Sequence, residues 1–276
     1  MEIDQVITDY KACQEITRHV YNLSGVQQYI DPVLMDKIGE IGSIKYLAGT
    51  VQSRDWYGYQ SIDDADIVIT TDDGKEIEVV RKDDVVLDCG AHTGFISMCF
   101  ALKVGPEGHV ISFDPFPQNA DLVEHNAILN GFTNVTVVRK ALGSKNRFLT
   151  LSQDAQNASG RGDNLIPTYE TTIDAYRHFN PSFLKIDIEG FEVEALKGAS
   201  EVLKSRPRFN LEIHGPLLHI FGHAVKDVTS LLPSPLDYIY YAKAVRLGSD
   251  DLPVYRRVHA LDFEEDCFTT LIGIPA

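Results

Sequence analysis

The 276-residue chain has few basic residues and no long apolar run, and each shortage excludes a class of protein. Lysine and arginine number 25 against 40 aspartates and glutamates, so the formal net charge is −15. A surface of that sign repels a phosphate backbone, so no nucleic-acid partner is expected. The longest apolar run, 95–102, is far shorter than the roughly 20 residues of a membrane-spanning helix, so no membrane partner is expected either.

Cysteine is also scarce, and its spacing excludes a disulfide framework. The four cysteines form no C-x-x-C pair, and a small disulfide-stabilised domain would need a higher density of them. They lie at Cys13, Cys89, Cys99 and Cys267. The first four residues are acidic in character, whereas a secretion signal begins with basic residues. These observations predict a cytoplasmic protein with reduced thiols.

The first 60 residues carry a helical pattern. Apolar side chains recur at steps of three and four over 3–23, and the Asp-Pro pair at 31–32 is typical of a helix start. The apolar spacing continues this second helix to Ile44. The pattern predicts a mostly helical N-terminal extension over 1–60, most simply a packing cap, followed by one domain over 61–276.

From residue 84 onward, short apolar strands alternate with helical segments. The predicted strands are 85–87, 109–113, 135–138, 183–188, 209–213, 236–242 and 267–274. Buried strands that alternate with helices are typical of a doubly wound, mostly parallel sheet. The sequence therefore predicts an α/β, Rossmann-like fold with a seven-stranded sheet. A β-hairpin with a turn at 72–75 is expected just before it.

A glycine turn follows the first apolar strand directly. It contains Asp88, Gly90 and Gly94, and glycines let a backbone approach a ligand closely at the carboxyl end of a sheet. The next strand ends at Asp114, which is 114 − 90 = 24 residues past Gly90. An acid at that distance suits the hydroxyls of a ribose. Together these features predict an adenosine-bearing cofactor.

The spacing of the turn favours one cofactor over others. A dinucleotide site requires G-x-G-x-x-G, but here the glycines are Gly90-x-x-x-Gly94, and the chain has no P-loop motif. The carboxylate of Asp88 would repel a pyrophosphate and attract the ammonium of an amino-acid moiety. S-adenosylmethionine is therefore favoured over NAD or ATP. A plain tight turn capped by Asp88 is the alternative.

Three motifs resemble those of the FkbM family of S-adenosylmethionine-dependent methyltransferases, within a stretch of about 75–200. They are Val85–Gly94, Phe113–Asn119 and Leu184–Glu192. The resemblance implies a class I methyltransferase fold and O-methylation of a hydroxyl on a small-molecule or sugar-bearing metabolite. Two positions depart from the family pattern, since Asp114 stands where glutamate is commoner and His92 where asparagine is usual.

The resemblance also implies which positions contact S-adenosylmethionine. The glycine turn would hold its methionine end, and the acid after the second strand would bind the ribose. The next aromatic residue and an alanine after the third strand would contact the adenine, and the acid after the fourth strand would lie beside the methyl group. These positions are Asp88, Gly90, His92, Thr93, Gly94, Asp114, Phe116, Ala141 and Asp187.

Activation of the acceptor is expected at the ends of the fourth and fifth strands, which are neighbours in this fold. Asp187, Glu212 and His214 stand there, so their side chains would converge near the methyl group. In one hypothesis, His214 is a general base with a pKa of about 6.5. In the other, the three residues hold a divalent cation that lowers the pKa of the acceptor oxygen. The metal-free base is favoured because no local spacing fixes a ligand set.

For several polar residues near these strands, a structural role is expected or is an alternative to a functional one. Glu189 is expected to cap the following helix, and Glu192 and Glu194 are expected to be solvated helix charges. The polar loop 157–164 is either a mobile substrate lid, with Arg161 as an anion anchor, or a loop without function.

Two other functions stay open. A protein that binds S-adenosylmethionine without transferring its methyl group, such as a sensor or assembly partner, would need the same cofactor residues. An RNA methyltransferase is disfavoured by the net charge of −15. The acceptor, the choice between oxygen and nitrogen, and the oligomeric state are not set by the sequence.

Overall fold

The computed structural model describes residues 39–41, 43–46, 65–154, 157–159, 165–246 and 254–276. Most of the predicted helical extension lies outside these residues, as do Cys13 and Arg161. The part of the extension that is described contains β1 (Gly39–Ile41) and β2 (Ile44–Tyr46).

This part of the extension is an antiparallel hairpin, so the prediction of a helix that continues to Ile44 is wrong there. The backbone of Lys45 exchanges two hydrogen bonds with the side-chain amide of Asn130, at 2.8 and 2.7 Å. Ile44 is fully buried in the main core. Tertiary contacts thus override a spacing that fits a helix equally well.

The remaining strands alternate with helices along the chain. The strands are β3 (Val68–Thr70), β4 (Glu76–Glu78), β5 (Val85–Cys89), β6 (His109–Phe113), β7 (Val135–Val138), β8 (Ala141–Leu142), β9 (Arg147–Asp154), β10 (Asn157–Ser159), β11 (Leu165–Thr171), β12 (Phe183–Ile186), β13 (Arg208–His214), β14 (Tyr238–Arg246), β15 (Arg256–Val258) and β16 (Cys267–Pro275). The helices are α1 (Phe95–Val104), α2 (Pro117–Leu129), α3 (Glu192–Lys197), α4 (Ser200–Lys204), α5 (Gly215–Leu218) and α6 (Val225–Thr229), with 3-10 helices at Ile173–Phe179 and His219–Phe221.

The main sheet has the strand order β15-β14-β16-β13-β12-β5-β6-β7. Strands β7, β6, β5, β12 and β13 run parallel, and β16 is antiparallel to both of its neighbours. The seven strands other than β15 correspond to the seven predicted, and their arrangement is that of a class I methyltransferase. The predicted fold class is therefore confirmed, with β15 as an added edge strand.

Apolar layers cover both faces of this sheet. Successive residues of β5 point to opposite faces, so Val86 packs in the cluster that includes α1 while Leu87 packs in the cluster that includes α3 and α4. Both side chains are fully buried. The strand ends are therefore the accessible part of the sheet. Among the described residues, no helix has both the length and the apolar character needed to cross a membrane.

A second, four-stranded sheet with the order β10-β9-β11-β8 follows β7, and the sequence did not predict it. The buried carboxylate of Glu170, in β11, stabilises this sheet. It accepts hydrogen bonds from Arg147 Nε, in β9, at 2.7 Å and from the Lys145 N–H at 3.0 Å. Strand β9 brings Leu149 and Leu151 to the carboxyl edge of the main sheet.

The opposite edge of the main sheet is held by a buried ion pair. The carboxylate of Asp84 lies 2.5 Å from Arg208 Nη2 and accepts hydrogen bonds from Ser182 Oγ at 2.7 Å and from the Arg81 N–H at 2.6 Å. Asp84 precedes β5, Ser182 precedes β12 and Arg208 begins β13. One carboxylate therefore aligns the three strands that carry the residues predicted to act in catalysis.

Removal of this carboxylate should destabilise the fold. In Asp84→Ala, the guanidinium of Arg208 stays buried without its partner, so the free energy of unfolding should fall by about 3–5 kcal/mol in urea titrations. The matched control is Glu78→Ala, which removes an exposed pair with Lys103 at 2.6 Å. That pair should contribute only about 0–1 kcal/mol. Equal losses in the two variants would contradict the assignment.

Candidate functional site

Four neighbouring strands of the main sheet end in acids at the same edge. Asp88 is in β5, Asp114 follows β6, Asp187 follows β12 and Glu212 is in β13. A cavity of about 110 Å³ opens at this edge. It is lined by six of the nine positions predicted to contact the cofactor, namely Gly90, His92, Asp114, Phe116, Ala141 and Asp187. The other three predicted positions, Asp88, Thr93 and Gly94, are not among the described residues that line the cavity.

The glycine turn is shaped by contacts within the protein. Gly90 has φ of 89°, and a Cβ there would lie 1.8 Å from the backbone oxygen of Asp187. Gly94 has φ of 87°, and a Cβ there would lie 2.9 Å from the Cα of Val123. Both residues thus need the freedom of glycine before any ligand binds. The sequence favours the approach of a ligand as the reason for these glycines, with a plain tight turn as the alternative, and close packing within the protein is a further reason.

Asp114 is 4% exposed and joins the glycine turn to the start of α2. Its carboxylate accepts hydrogen bonds from the Phe116 N–H at 2.9 Å, the His92 N–H at 3.0 Å and Asn119 Nδ2 at 3.3 Å. Burial raises the pKa of Asp114 to about 7, even though these hydrogen bonds oppose the shift. The side chain is therefore rigid, dry and close to its titration point at neutral pH.

Lys185 occupies the centre of the acidic edge. Its ammonium donates a hydrogen bond to the Gly90 carbonyl at 3.1 Å and lies 3.4 Å from Asp88 Oδ1 and 3.2 Å from Asp187 Oδ2. Asp88 is fully buried and also accepts a 2.6 Å hydrogen bond from Ser97 Oγ. Burial favours the neutral form of Asp187, but the nearby Lys185 and His214 lower its pKa below the usual range. Asp88 thus already has a cation beside it, and its contact with a cofactor ammonium stays a prediction.

His214 brings the predicted catalytic residues together. Its ring is 4% exposed, with Nδ1 2.8 Å from Glu192 Oε1. Its Nε2 lies 3.7 Å from Asp187 Oδ1, 3.6 Å from Glu189 Oε2 and 4.0 Å from Glu212 Oε1. The convergence expected at the ends of β12 and β13 is therefore present in the structure.

The charge state of this cluster bears on the hypothesis that His214 is a general base. Burial lowers the pKa of His214, but the hydrogen bond to Glu192 and the surrounding carboxylates outweigh it and raise the pKa to about 10. With the nearby carboxylates alone as partners, the imidazole is protonated at neutral pH and has no free lone pair. The ordinary pKa expected for His214 is therefore not found in this arrangement, and its role as a general base stays a prediction. Burial also raises the pKa of Glu189, and that of Glu212 to about 7.

Two acids near the start of α3 differ from their predicted roles. Glu192 was expected to be solvated, but it is fully buried and accepts hydrogen bonds from His214 and from the Gly190 N–H at 2.9 Å. Glu189 was expected to cap α3, but its carboxylate faces His214, and the residue adopts φ of 56°. Glu194 is partly exposed and pairs with Lys197 at 2.6 Å, close to expectation.

Sequence reasoning missed Lys185 and several residues that line the cavity. Lys185 is a charge inside a mostly apolar strand, which could have identified it. Phe191 and Phe221 form an edge-to-face pair with centroids 5.2 Å apart, next to the acids. Leu149 and Leu151 come from the unpredicted second sheet, so no local pattern could place them here.

The raised pKa of Asp114 predicts a pH-dependent stability. An acid whose folded pKa exceeds its unfolded value holds its proton more tightly when folded, so the free energy of unfolding falls as pH rises from about 4 to about 7. Asp114→Asn has no proton to lose. Urea titrations should show the variant gaining stability relative to the parent chain between about pH 5 and about pH 8. Asp72→Asn, in the exposed β3–β4 turn, controls for the amide; a pH-independent difference in Asp114→Asn would refute the shift.

The chain is similar to two curated methyltransferases. It is 28% identical over 171 residues to the hexuronic acid methyltransferase AglP of Haloferax volcanii, across 56% of this chain and 64% of AglP. It is 35% identical over 63 residues to a protein-L-isoaspartate O-methyltransferase of Ignicoccus hospitalis, across 23% of this chain and 30% of that protein. The chain thus spans less than two thirds of either relative.

The comparison with solved structures includes the methyltransferase FkbM from Methylobacillus flagellatus. The TM-score is 0.47 at 17% identity, and the match covers 87% of this chain and 57% of that chain.

Residues 88–240 match the family described as the methyltransferase FkbM domain. The match covers 240 − 88 + 1 = 153 of the 276 residues, which is more than half of the chain. It contains the glycine turn, Asp114, the end of β12 and the end of β13. The chain therefore belongs to the FkbM methyltransferase domain family.

Proposed function

We propose that the chain is an S-adenosylmethionine-dependent methyltransferase that methylates a hydroxyl on a small-molecule or sugar-bearing metabolite. The observation that carries the proposal is the cavity at the carboxyl edge of the sheet. It joins a buried acid and an aromatic ring, Asp114 and Phe116, to the acidic group at Asp187. Ligands of open α/β sheets bind at this edge. Membership of the FkbM family supports the same conclusion.

The cavity has the chemistry that an adenosine group needs. A carboxylate has about four acceptor sites, and the protein uses three at Asp114, so one stays available to a ribose hydroxyl. Phe116, Ala141 and Leu149 supply apolar surface beside it for an adenine ring. The residues present therefore fit S-adenosylmethionine.

S-adenosylmethionine, when bound, supplies a methyl group on a sulfonium leaving group. The chain must then chiefly orient the acceptor, and orientation can supply roughly 7–11 kcal/mol of a barrier. Lys185 contributes by fixing Asp187 against the glycine turn through its contacts at 3.2 and 3.1 Å. Asp187 lies at the boundary between the cofactor cavity and the carboxylate of Glu212 in β13.

A carbohydrate acceptor fits the end of the cavity at Asp187, away from Asp114. Asp187 and Glu212 are partly exposed, at 28% and 36% of their side chains, so their oxygens can accept hydrogen bonds from hydroxyls. The Phe191–Phe221 pair offers an apolar wall for the face of a sugar ring. The similarity to AglP, a hexuronic acid methyltransferase, supports a sugar or uronic acid. Among the described residues, Cys89, Cys99 and Cys267 form no disulfide with one another, in keeping with the cytoplasmic setting that we propose.

Loss of the Asp114 carboxylate should weaken cofactor binding. Asp114→Ala removes a hydrogen bond to a charged acceptor, so calorimetry should show an affinity for S-adenosylmethionine lower by about 1.5–3 kcal/mol. Asp72→Ala, in the exposed β3–β4 turn, should bind as the parent chain does. An unchanged dissociation constant in a folded Asp114→Ala protein would eliminate the ribose assignment.

Product detection tests the reaction itself. The full chain is incubated with S-adenosylmethionine and a panel of sugars, uronic acids and phenols, and mass spectrometry follows S-adenosylhomocysteine and methylated acceptor. A methylated hydroxyl is the expected result. Tight cofactor binding without turnover of any acceptor would favour the alternative, a binding protein without transferase activity.

A further inference from the structure

The ends of β12 and β13 gather more negative charge than the described cations compensate. Four carboxylates lie there, at Asp187, Glu189, Glu192 and Glu212, and a fifth, Asp88, lies beside them in β5. Their neighbouring cations among the described residues are Lys185 and, when protonated, His92 and His214. With both histidines protonated, the formal sum is 3 − 5 = −2. A cluster with this excess is suited to a multivalent cation.

The distances within the cluster are those between ligands of one ion. The three contacts of His214 Nε2, at 3.6, 3.7 and 4.0 Å, are all longer than a hydrogen bond. One ligand atom each from Asp187, Glu212 and His214 lies within 4.8 Å of the others. Atoms bound at about 2.0–2.5 Å from a hard cation are separated from one another by about 3–5 Å.

The orientation of His214 is an independent indication. A metal-bound imidazole donates its other N–H to a carboxylate, which fixes the ring and its tautomer. Here Nδ1 is 2.8 Å from Glu192 Oε1, and Glu192 is fully buried. This directs Nε2 of a ring that is 4% exposed toward the carboxylates, with no hydrogen-bond partner at Nε2 among the described contacts. Glu192 Oε2 is also without a hydrogen-bond partner among the described residues.

We propose that Nε2 of His214 and the carboxylates of Asp187 and Glu212 bind a hard divalent cation, Mg²⁺ or Mn²⁺. Carboxylate-rich ligation with one imidazole suits these ions. Glu192 is a positioning residue, since it acts through His214. The sequence alone favoured a metal-free base because no local spacing fixes a ligand set, but the fold supplies that set from two neighbouring strands.

The role of the cation rests on the proposed function. A bound cation binds the acceptor hydroxyl and lowers its pKa, so that the hydroxyl proton passes to water. The acceptor oxygen then uses a lone pair to form the bond to the methyl carbon. The carbon–sulfur bond breaks, and its electron pair stays on sulfur, which becomes a neutral thioether. With the cation present, the imidazole of His214 is neutral and donates its Nδ1–H to Glu192.

Titration with Mn²⁺ tests the site without activity or cofactor. The metal-stripped full chain should bind one Mn²⁺, seen as loss of the free-ion EPR signal, and pulsed EPR should detect a histidine nitrogen. Asp187→Asn, Glu212→Gln and Glu192→Gln should weaken binding by about 10–100-fold. The matched control is the double variant Glu264→Gln/Asp266→Asn, which alters the exposed acids of the other cluster and should bind Mn²⁺ as the parent chain does.

Several results would overturn the proposal. They are no Mn²⁺ binding by the parent chain, equal binding by the folded variants, or loss of binding in the control alone. If a variant does not fold, the histidine nitrogen signal of the parent chain decides. Activity that survives exhaustive chelation would refute the role in catalysis. If the chain binds S-adenosylmethionine but does not bind Mn²⁺, only the cation site is refuted. If the chain binds Mn²⁺ but does not bind S-adenosylmethionine, only the proposed function is refuted.

Discussion

The buried ammonium group of Lys185 is the interaction on which the acidic edge of the sheet depends. It lies between Asp88 and Asp187 and binds the carbonyl of Gly90, so it joins the ends of β5 and β12. Breaking a buried pair by removing one partner typically costs about 3–5 kcal/mol, and here two carboxylates share the same cation. The close packing of Gly90 against the Asp187 backbone, where a Cβ would lie 1.8 Å from the carbonyl oxygen, brings the two strand ends together as well. One side chain therefore sets the position of both walls of the cavity.

The site gathers like charges because parallel strands end together. Each acid lies at or just past the carboxyl end of a strand of the main sheet, so the four side chains meet at one edge of it. The pKa values of Asp114 and Asp187 are shifted in two opposite directions, according to their surroundings. Where water is excluded, as at Asp114, the pKa rises to about 7. Where a cationic neighbour is available, as at Asp187, the carboxylate keeps its charge and its pKa falls.

The sequence predicted the features that depend on local pattern. Apolar runs and helical periods located the seven strands, and the acids after β6 and β12 followed from strand ends. Glu192 could not be predicted, because its burial depends on where the end of β13 places His214. The second sheet could not be predicted either. Its strand β9 pairs with β11 across the residues between them, and β9 carries Phe148, which is 64% exposed, among polar residues. The raised pKa of His214 could not be predicted for a related reason, since a histidine pKa depends on neighbours distant in sequence.

The position of β16 has a consequence for how the protein is made. Strand β16 contains Cys267–Pro275, yet it lies between β13 and β14, which are synthesised earlier. Until that segment emerges from the ribosome, one side of β13 has no hydrogen-bonding partner, and Phe209 lacks the contact with Gly273. An unpaired strand edge is open to incorrect pairing. The strand that carries Glu212 and His214 therefore gains its second neighbour only after the segment that forms β16 has been synthesised.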